Sequence, residues 1–180
     1  MLVGIISDTH GDREAFRIAW ENYLKDAEII LHAGDVLYHG PRNFWGHGYD
    51  PHGLAEDLNR LPVPLFIARG NCDAPVDQLV LEYPLCDPGL ELEIEEMKVL
   101  VYHGDKEDPW HKKKKAQLLI TGHTHIPEIK KEGSFLHLNP GSPALPKGGA
   151  PPTIALWEDN SICIISLIDG KIYKNIKLID

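Results

Sequence analysis

The stretch Leu118-Leu119-Ile120-Thr121-Gly122-His123-Thr124-His125 contains an apolar run that is followed at once by two histidines. The three apolar residues predict a buried strand, which the glycine ends. Residues two apart in an extended segment point to the same side, so the imidazoles of His123 and His125 can converge on one point. Imidazole is a common ligand of metals such as zinc and iron. A single His-x-His pair is also typical of surface histidines, so the interpretation depends on the rest of the chain.

Four other apolar runs of the chain end in polar side chains in the same way. The runs and the residues that follow them are 3–7 with Asp8 and His10, 29–33 with Asp35, 65–69 with Asn71 and Asp73, and 99–102 with His103 and Asp105. Five strand-like runs therefore each bring a carboxylate, an amide or an imidazole to the carboxyl end. This repetition predicts one shared site at the ends of the strands.

The order of the predicted elements changes along the chain from strand–helix–strand units to hairpins. Strands are predicted at 2–7, 28–33, 65–69, 91–94, 99–102, 118–120, 128–138 (a hairpin), 153–157, 161–168 and 171–178; helices are predicted after an N-cap at Asp12, at 53–61 and at 109–116. Residues 74–89 are punctuated by prolines and predict an irregular linker. Crossovers first and hairpins later predict an α/β protein with two packed sheets and helices outside them.

Composition limits the class of protein. With 180 residues, of which 43% are hydrophobic, the chain fits one well-buried domain over 1–180. No apolar run approaches the ~20 residues of a membrane span, and the opening Met-Leu-Val-Gly-Ile-Ile predicts a first strand and not a signal peptide. Three cysteines without metal-type spacing suit a reducing cytoplasm. The net charge of −9 argues against a general affinity for the nucleic-acid backbone. The apolar, β-rich tail can support a homodimer or a higher homo-oligomer, although nothing in it specifies one.

Residues 36–52 have no clear period and contain Gly, Pro, Asn, three histidines, Trp45 and Arg42. A long irregular stretch in a small domain is usually functional or mobile. We therefore predict a loop that lies over the site, in which Arg42 is the residue of most interest.

Together, the strand-end residues form a candidate metal-binding set. Its members are Asp8, His10, Asp35, Asn71, His103, His123 and His125. A mixture of carboxylate, amide and imidazole suits manganese, zinc or iron better than an all-oxygen calcium or magnesium site. Seven ligands are too many for one tetrahedral ion and suit two ions that share one carboxylate. Two ions roughly 3.5–4 Å apart can bind a phosphoryl group between them and generate a nucleophile from water.

These motifs resemble the calcineurin-like metallophosphoesterase family. The motifs are Asp8-Thr9-His10, Gly34-Asp35, Gly70-Asn71-Cys72-Asp73, His103-Gly104 and Gly122-His123-Thr124-His125, in the family's order. The short chain and three further motifs resemble its small bacterial and archaeal phosphodiesterases of the YfcE type. These are His39-Gly40-Pro41-Arg42, Asn139-Pro140-Gly141-Ser142 and Pro146-Lys147-Gly148-Gly149.

The resemblance implies a four-layer α/β/β/α sandwich and a dinuclear phosphodiesterase site for a small phosphodiester substrate. It implies one ion held by Asp8, His10 and His125, and another held by Asn71, His103 and His123. Asp35 would bridge both ions, together with a hydroxide that attacks phosphorus. Manganese is the expected metal, with zinc, iron, nickel or magnesium as alternatives.

The chain departs from many relatives at Cys72, where they carry a histidine that is thought to protonate the leaving group or to hold a phosphate oxygen. A thiol is a poorer proton donor at neutral pH than an imidazolium. We therefore expect leaving groups of low pKa, such as those of aryl phosphodiesters, to be favoured; the alternative is that Cys72 only fills space. Asp73 is expected to orient neighbouring groups, and Arg42 to contact the substrate phosphate.

Three other functions are compatible with parts of this pattern. A retromer-subunit-like scaffold has the same fold but departs from the complete ligand set, which is present here. A metal-storage protein would need no long loop over the site. A phosphomonoesterase is a nearer alternative, and Cys72 and the small size favour diesters over it.

Overall fold

The computed structural model describes residues 1–44, 46–106, 116–132 and 135–178, and within them twelve strands form two mixed sheets. The strands are β1 (Leu2–Ile6), β2 (Ile29–His32), β3 (Leu65–Ala68), β4 (Leu85–Cys86), β5 (Leu90–Ile94), β6 (Met97–Val101), β7 (Leu118–Ile120), β8 (Glu128–Glu132), β9 (Phe135–Asn139), β10 (Thr153–Glu158), β11 (Ser161–Ser166) and β12 (Ile172–Lys177). The seven-stranded sheet has the order β12-β11-β10-β1-β2-β3-β4, and the five-stranded sheet has the order β5-β6-β7-β9-β8. Two sheets in an α/β architecture agree with the prediction.

Within each sheet, parallel pairing brings the carboxyl ends of several strands to the same edge. Strands β1, β2, β3 and β4 are parallel to one another, as are β6, β7 and β9. The remaining strands are antiparallel neighbours, which arise from the hairpins predicted in the second half of the chain. Polar residues that follow the parallel strands therefore lie at one edge of each sheet.

Helices cover the outer face of the seven-stranded sheet. They are α1 (Arg13–Ala19), which continues as a π-helical segment (Trp20–Leu24), α2 (Pro51–Asn59) and a 3₁₀ helix (Pro75–Leu79). The Asp12 carboxylate caps α1 by accepting from the Ala15 N–H at 2.9 Å. Asp50 caps α2 in the same way through the Gly53 N–H at 2.9 Å. Pro51 occupies the first turn, where a missing N–H costs nothing.

Two apolar layers hold the molecule together. One lies between the sheets and includes Ile5 and Leu31 from the first sheet and Val99 and Ile120 from the second. The other lies between the first sheet and the helices, where Phe16, Leu54 and other helical side chains meet the opposite faces of β1, β2 and β3. Both faces of these strands are therefore buried, which explains their nearly continuous apolar sequence.

Several predicted boundaries need correction. The helix predicted at 53–61 begins earlier, at Pro51, and ends at Asn59, so the preceding loop ends at Asp50. The segment 74–89 is not wholly irregular, because it contains the 3₁₀ helix and β4. The sequence pattern missed both because each is too short to show a period. The helix predicted at 109–116, which would supply a layer over the five-stranded sheet, lies outside the described residues except at Ala116.

Within the described part of the chain, no helix has the length and apolar character needed to cross a membrane.

Candidate metal centre

The carboxyl ends of the parallel strands of both sheets meet at one place. The Nδ1 of His103, after β6, lies 2.8 Å from the Ala33 carbonyl oxygen, after β2. The His123 N–H, after β7, donates to the Asp8 carboxylate, after β1, at 3.0 Å. The junction between the sheets therefore brings together side chains that are distant in sequence.

Five of the seven predicted ligands have left-handed backbone conformations. Their φ angles are 55° at Asp8, 47° at His10, 58° at Asp35, 65° at His123 and 58° at His125. Such angles are uncommon outside glycine and persist only where surrounding contacts enforce them. Here the backbones of the first two loops support each other, because the Asp8 N–H donates to Gly34 O and the His10 N–H donates to Asp35 O, both at 3.0 Å. The left-handed turns direct the side chains into the junction.

The two carboxylates, Asp8 and Asp35, are buried at the centre of the site. Burial raises the pKa of Asp8 to about 7, against the opposing effects of the His103 charge and the Ser7 hydroxyl, which donates to Asp8 at 2.7 Å. Burial also opposes ionisation of Asp35, but the hydrogen bond and charge of His103 and the N–H of Cys72 outweigh it and lower the pKa of Asp35. The Asp35 contacts are 3.2 Å to His103 Nε2 and 2.8 Å from the Cys72 nitrogen.

Backbone carbonyls fix the tautomer of three imidazoles. The Nδ1 atoms of His10, His103 and His125 lie 2.7, 2.8 and 2.6 Å from the carbonyl oxygens of Tyr38, Ala33 and Leu145. A carbonyl can only accept, so each Nδ1 carries the proton. Each Nε2 then faces the carboxylates, the orientation that metal-ligating histidines adopt when their other nitrogen donates to an outer partner.

A cation fits this arrangement. The Nε2 atoms of His10 and His125 are 3.2 Å apart, although neither carries a proton in the neutral imidazole. Burial lowers the pKa of both side chains, that of His125 to about 4, so the neutral forms dominate at pH 7. Two facing lone pairs beside buried carboxylates are stabilised by a positive ion between them. The donor set therefore suits a metal.

A second group of donors lies around Asn71. Its Oδ1 is 2.8 Å from His123 Nδ1 and 3.2 Å from His103 Nε2. Burial lowers the pKa of His103, but the hydrogen bond with Asp35 and the charges of Asp8 and Asp35 prevail and raise it to about 9. A metal ion at this position would take the place of that proton.

The seven predicted residues thus form two neighbouring groups joined by a carboxylate. Ligand atoms of Asp8, His10 and His125 lie within 4.8 Å of one another, and so do those of Asp8, Asp35 and His103. The Asp35 Oδ2 atom is 3.7 Å from His10 Nε2 and 3.2 Å from His103 Nε2, so it borders both groups. The arrangement can hold two cations that share Asp35.

Cys72 borders the site as a neutral thiol. Burial and then the charge of Asp35 raise its pKa to about 12. Its Sγ accepts from the Asn71 side-chain amide at 3.3 Å. A Cβ added to Gly40 would lie 3.1 Å from this sulfur, so the 36–50 loop passes directly over Cys72.

The other two predicted site residues have different surroundings. Asp73 is buried, and its carboxylate accepts from the N–H groups of Asp35 (2.9 Å), Val36 (2.7 Å) and Gly70 (2.7 Å). It therefore orients the loops that carry Asp35 and Asn71. Arg42 is exposed in a turn of the 36–50 loop, and no described residue forms an ion pair or hydrogen bond with its side chain. The neighbouring Trp45 lies outside the described residues.

The sequence analysis missed the polar side chains that support the ligands. Ser142 is buried, and its hydroxyl donates to Asp8 O at 2.7 Å while accepting from the Leu145 N–H at 2.8 Å. Asn139 donates to Gly122 O at 2.7 Å, between the ligand-bearing loops. Both belong to the Asn139-Pro140-Gly141-Ser142 motif, whose side chains the sequence analysis gave no role. The signal in the sequence was an asparagine and a serine that flank Pro-Gly.

His32 also supports the site from within the core. It is fully buried, and burial lowers its pKa to about 3, so it is neutral. Its Nδ1 accepts from the Gly34 N–H at 3.1 Å, and its Nε2 donates to the Thr9 hydroxyl at 3.0 Å. That hydroxyl donates in turn to Val36 O at 2.9 Å. The chain of bonds fixes Thr9 between the two predicted metal ligands Asp8 and His10.

Comparison with known proteins gives the same family at several levels. The calcineurin-like phosphoesterase superfamily domain matches residues 1–161. The chain is 34% identical over 175 residues to phosphodiesterase YfcE of Escherichia coli, covering 96% of this chain and 95% of that protein. It is 33% identical over 170 residues to a probable metallophosphoesterase of Methanothermobacter thermautotrophicus, covering 88% and 87% of the two chains.

Solved structures extend the comparison to the fold. The structure of the E. coli phosphoesterase Yfce aligns with a TM-score of 0.92 at 33% identity, over 99% of this chain and all of that one. Vacuolar protein sorting 29 of Cryptosporidium parvum aligns with a TM-score of 0.67 at 21% identity, over 98% and 97% of the two chains. The second likeness concerns the fold alone.

Proposed function

The chain belongs to the calcineurin-like phosphoesterase superfamily, and we propose that it is a metal-dependent phosphodiesterase that acts through two divalent ions. One observation carries this proposal. Three imidazoles, each held at Nδ1 by a backbone carbonyl, direct their Nε2 atoms towards two buried carboxylates at the junction of the sheets. A phosphodiesterase is also the named activity of a relative that aligns with nearly the whole chain.

The ligands divide between two ions as follows. We assign Asp8, His10 and His125 to the first ion, Asn71, His103 and His123 to the second, and Asp35 to both. When bound, the ions supply Lewis acidity to the phosphoryl oxygens and activate water as a nucleophile.

The protein's own residues orient these groups. The Cys72 N–H holds one oxygen of Asp35 at 2.8 Å and leaves the other free to face both ion positions. Asp73 fixes the backbone on either side of Asp35 through two N–H groups. The Asn71 amide is the exposed member of the set, so the second ion position is the one open to a substrate.

Manganese is the metal we propose, with zinc, iron, nickel or magnesium as alternatives. A set of imidazoles, carboxylates and one amide is intermediate between the sulfur-rich sites of softer metals and all-oxygen sites, and manganese tolerates that mixture. Availability in the cell then contributes to which ion is bound.

The proposed substrate is a small phosphodiester. The net charge of −9 opposes binding of a nucleic-acid backbone, whereas two divalent ions attract a single anionic group. The three cysteines are free thiols, in keeping with the proposed cytoplasmic location. A homodimer or higher homo-oligomer is a further expectation, because the edge strand β12 exposes Ile172 and Tyr173.

The fold alone also occurs in vacuolar protein sorting 29, so a scaffold without catalytic activity is the competing function. The complete set of seven donors favours an enzyme. A phosphomonoesterase would need the same ions, and only the substrate distinguishes it.

The experiment is hydrolysis of bis-p-nitrophenyl phosphate by chelator-stripped protein with and without added manganese. Asp35→Asn and His123→Ala are tested beside the wild type, and p-nitrophenyl phosphate is the monoester control. We expect turnover that returns with manganese, exceeds that of the monoester and falls at least ~10²-fold in both variants, because each loses a metal ligand. Two bound ions without turnover would overturn the enzyme proposal in favour of a scaffold.

A further inference from the structure

Residues 142–147 form a loop that is tied to the metal centre at three points. The Ser142 hydroxyl donates to Asp8 O at 2.7 Å. The Leu145 carbonyl accepts from His125 Nδ1 at 2.6 Å, and the Lys147 N–H donates to His125 O at 3.2 Å. The contacts of Leu145 and Lys147 with His125, a proposed metal ligand, therefore hold the backbone of Lys147 next to that histidine.

The turn that follows is shaped to stay close to the same histidine. Gly148 and Gly149 both have positive φ angles, of 67° and 75°. A Cβ on Gly148 would lie 3.2 Å from the Ile126 side chain, the residue after His125. A glycine at this position lets the turn pack on Ile126, so the position of Lys147 is set by packing on both of its sides.

The side chain of Lys147 is exposed, and no carboxylate among the described residues forms an ion pair with it. Its charge is nevertheless felt within the site. Burial is the main reason why the pKa values of His10, His123 and His125 are lowered, and the positive charge of Lys147 adds to that effect in all three. The ammonium group is exposed and acts through its charge on these three histidines, so it lies at the rim of the cluster.

We propose that Lys147 selects the substrate by binding an anionic group on the ester arm that extends beyond the scissile phosphate. The inference rests on the proposed phosphodiesterase function and adds a substrate class to it: phosphodiesters with a carboxylate or a second phosphate near the scissile group. Substrates with a cationic arm, such as a quaternary ammonium, are disfavoured by the same charge.

Position and charge favour the arm over the scissile phosphate itself. A phosphodiester carries one negative charge, which two divalent ions at the centre already offset. A cation at the rim can therefore attract an anionic group farther out on the substrate. Arg42, the cation that the sequence favoured for phosphate contact, has no comparable tie between its backbone and a ligand residue among the described contacts.

The test uses three 4-nitrophenyl phosphodiesters whose second arm is phenyl, 4-carboxyphenyl or 4-trimethylammoniophenyl, with the manganese-loaded full chain. The leaving group is the same in all three, so only the charge of the arm changes. For the wild type we expect kcat/KM to be higher for the carboxylate arm than for the cationic arm by about tenfold, mostly through KM. In Lys147→Met this ratio falls to near 1, and Lys147→Arg retains it.

The matched control is Lys25→Met, an exposed lysine before β2 at the opposite edge of the sheet, which should keep the wild-type ratio. A ratio that survives in Lys147→Met would overturn the inference, and so would an equal loss on all three arms, which would place Lys147 at the scissile phosphate. The proposed function fails differently: the wild type would hydrolyse none of the three esters. If the inference holds, raising the salt concentration should reduce the preference of the wild type for the carboxylate arm, because salt screens the charge of an exposed side chain.

Discussion

At the scale of single residues, the protonation state of Cys72 bears on the predicted preference for leaving groups of low pKa. Its pKa is raised to about 12 by burial and by the charge of Asp35, so the side chain is a neutral thiol at any physiological pH. A neutral thiol donates a proton far less readily than an imidazolium with a pKa near 6.5. The site can therefore bind and activate a diester while giving little help to a poor leaving group.

We expect the wild type to hydrolyse aryl phosphodiesters faster than alkyl ones by several orders of magnitude. The reason is that a nitrophenolate leaves without a proton and an alkoxide does not. The measurement is kcat across a series of leaving groups of graded pKa, for the wild type and for Cys72→Ala. Equal slopes in both proteins would mean that Cys72 only fills space, and equal rates on aryl and alkyl esters would contradict the hypothesis altogether.

At the scale of elements, the turn after β9 acts as a support for the ligand loops. Ser142 is fully buried and bonds to the Asp8 carbonyl, and Asn139 bonds to the Gly122 carbonyl before His123. Asp8 has a left-handed conformation, and Gly122 directly precedes the left-handed His123. Loss of such an outer contact usually weakens metal binding without removing a ligand.

Ser142→Ala is expected to weaken manganese binding by about 10–100-fold. Titration against a chromophoric chelator measures the affinity, and thermal unfolding of the metal-free protein measures the fold separately. The control is Ser166→Ala, another buried serine, whose hydroxyl accepts from the Ile168 N–H at 3.3 Å in a turn away from the ligands. A lower Tm with unchanged metal affinity would show that the turn stabilises only the fold.

The two α-helices are joined by an ion pair whose contribution depends on pH. Arg13 in α1 donates two hydrogen bonds to Asp57 in α2, at 2.7 and 2.9 Å, and one to the Asp50 cap at 3.0 Å. The hydrogen bonds from Arg13 lower the pKa of Asp57 below its ordinary value. A carboxyl whose pKa is lower in the folded state stabilises that state above the unfolded pKa, near 4, and loses this contribution as pH falls through the folded pKa.

Asp57→Asn should therefore lower Tm at pH 7, and the difference from the wild type should shrink as pH falls below about 4. Thermal unfolding of metal-free protein between pH 3 and pH 7 provides the measurement. Glu56→Gln, beside it on the same helix, is the control, because Glu56 makes only contacts of 3.8 Å with His52 and Arg60. A difference that is constant over this range would exclude the ion pair as its cause.

At the scale of the whole molecule, the proposed metal site joins the two sheets. Asp8, His10, Asp35 and Asn71 follow strands of the first sheet, whereas His103, His123 and His125 follow strands of the second. The sheets also share the apolar layer between them, but at this edge polar donors replace apolar contacts. Ions bound here stabilise the folded chain by mass action, because the unfolded chain does not hold the seven donors together.

Removal of the metal should lower Tm by about 5–10 °C. An ion present at 100 times its Kd contributes about 2.7 kcal/mol, and each kcal/mol shifts Tm by about 2–4 °C in a chain of this size. Calorimetry of stripped and manganese-loaded protein tests this, with Asp35→Asn as the variant in which the shift should largely disappear. An equal shift in that variant would place the stabilising ion elsewhere.

The sequence by itself determined the class of fold and the set of candidate ligands. Burial on both faces makes parallel strands apolar throughout, so the strands and the polar residues that follow them could be located from local pattern. The sequence pattern missed short elements such as the 3₁₀ helix and β4, because five and two residues are too few to show a period.

Only the tertiary structure decided which groups face each other and what supports them. The left-handed turns, the carbonyls that fix the imidazole tautomers and the ties from Ser142 and Lys147 all join segments far apart in sequence. A local pattern does not record such contacts, because they arise from the way the two sheets pack. For the same reason the sequence directed attention to Arg42, whereas packing places Lys147 beside the ligands.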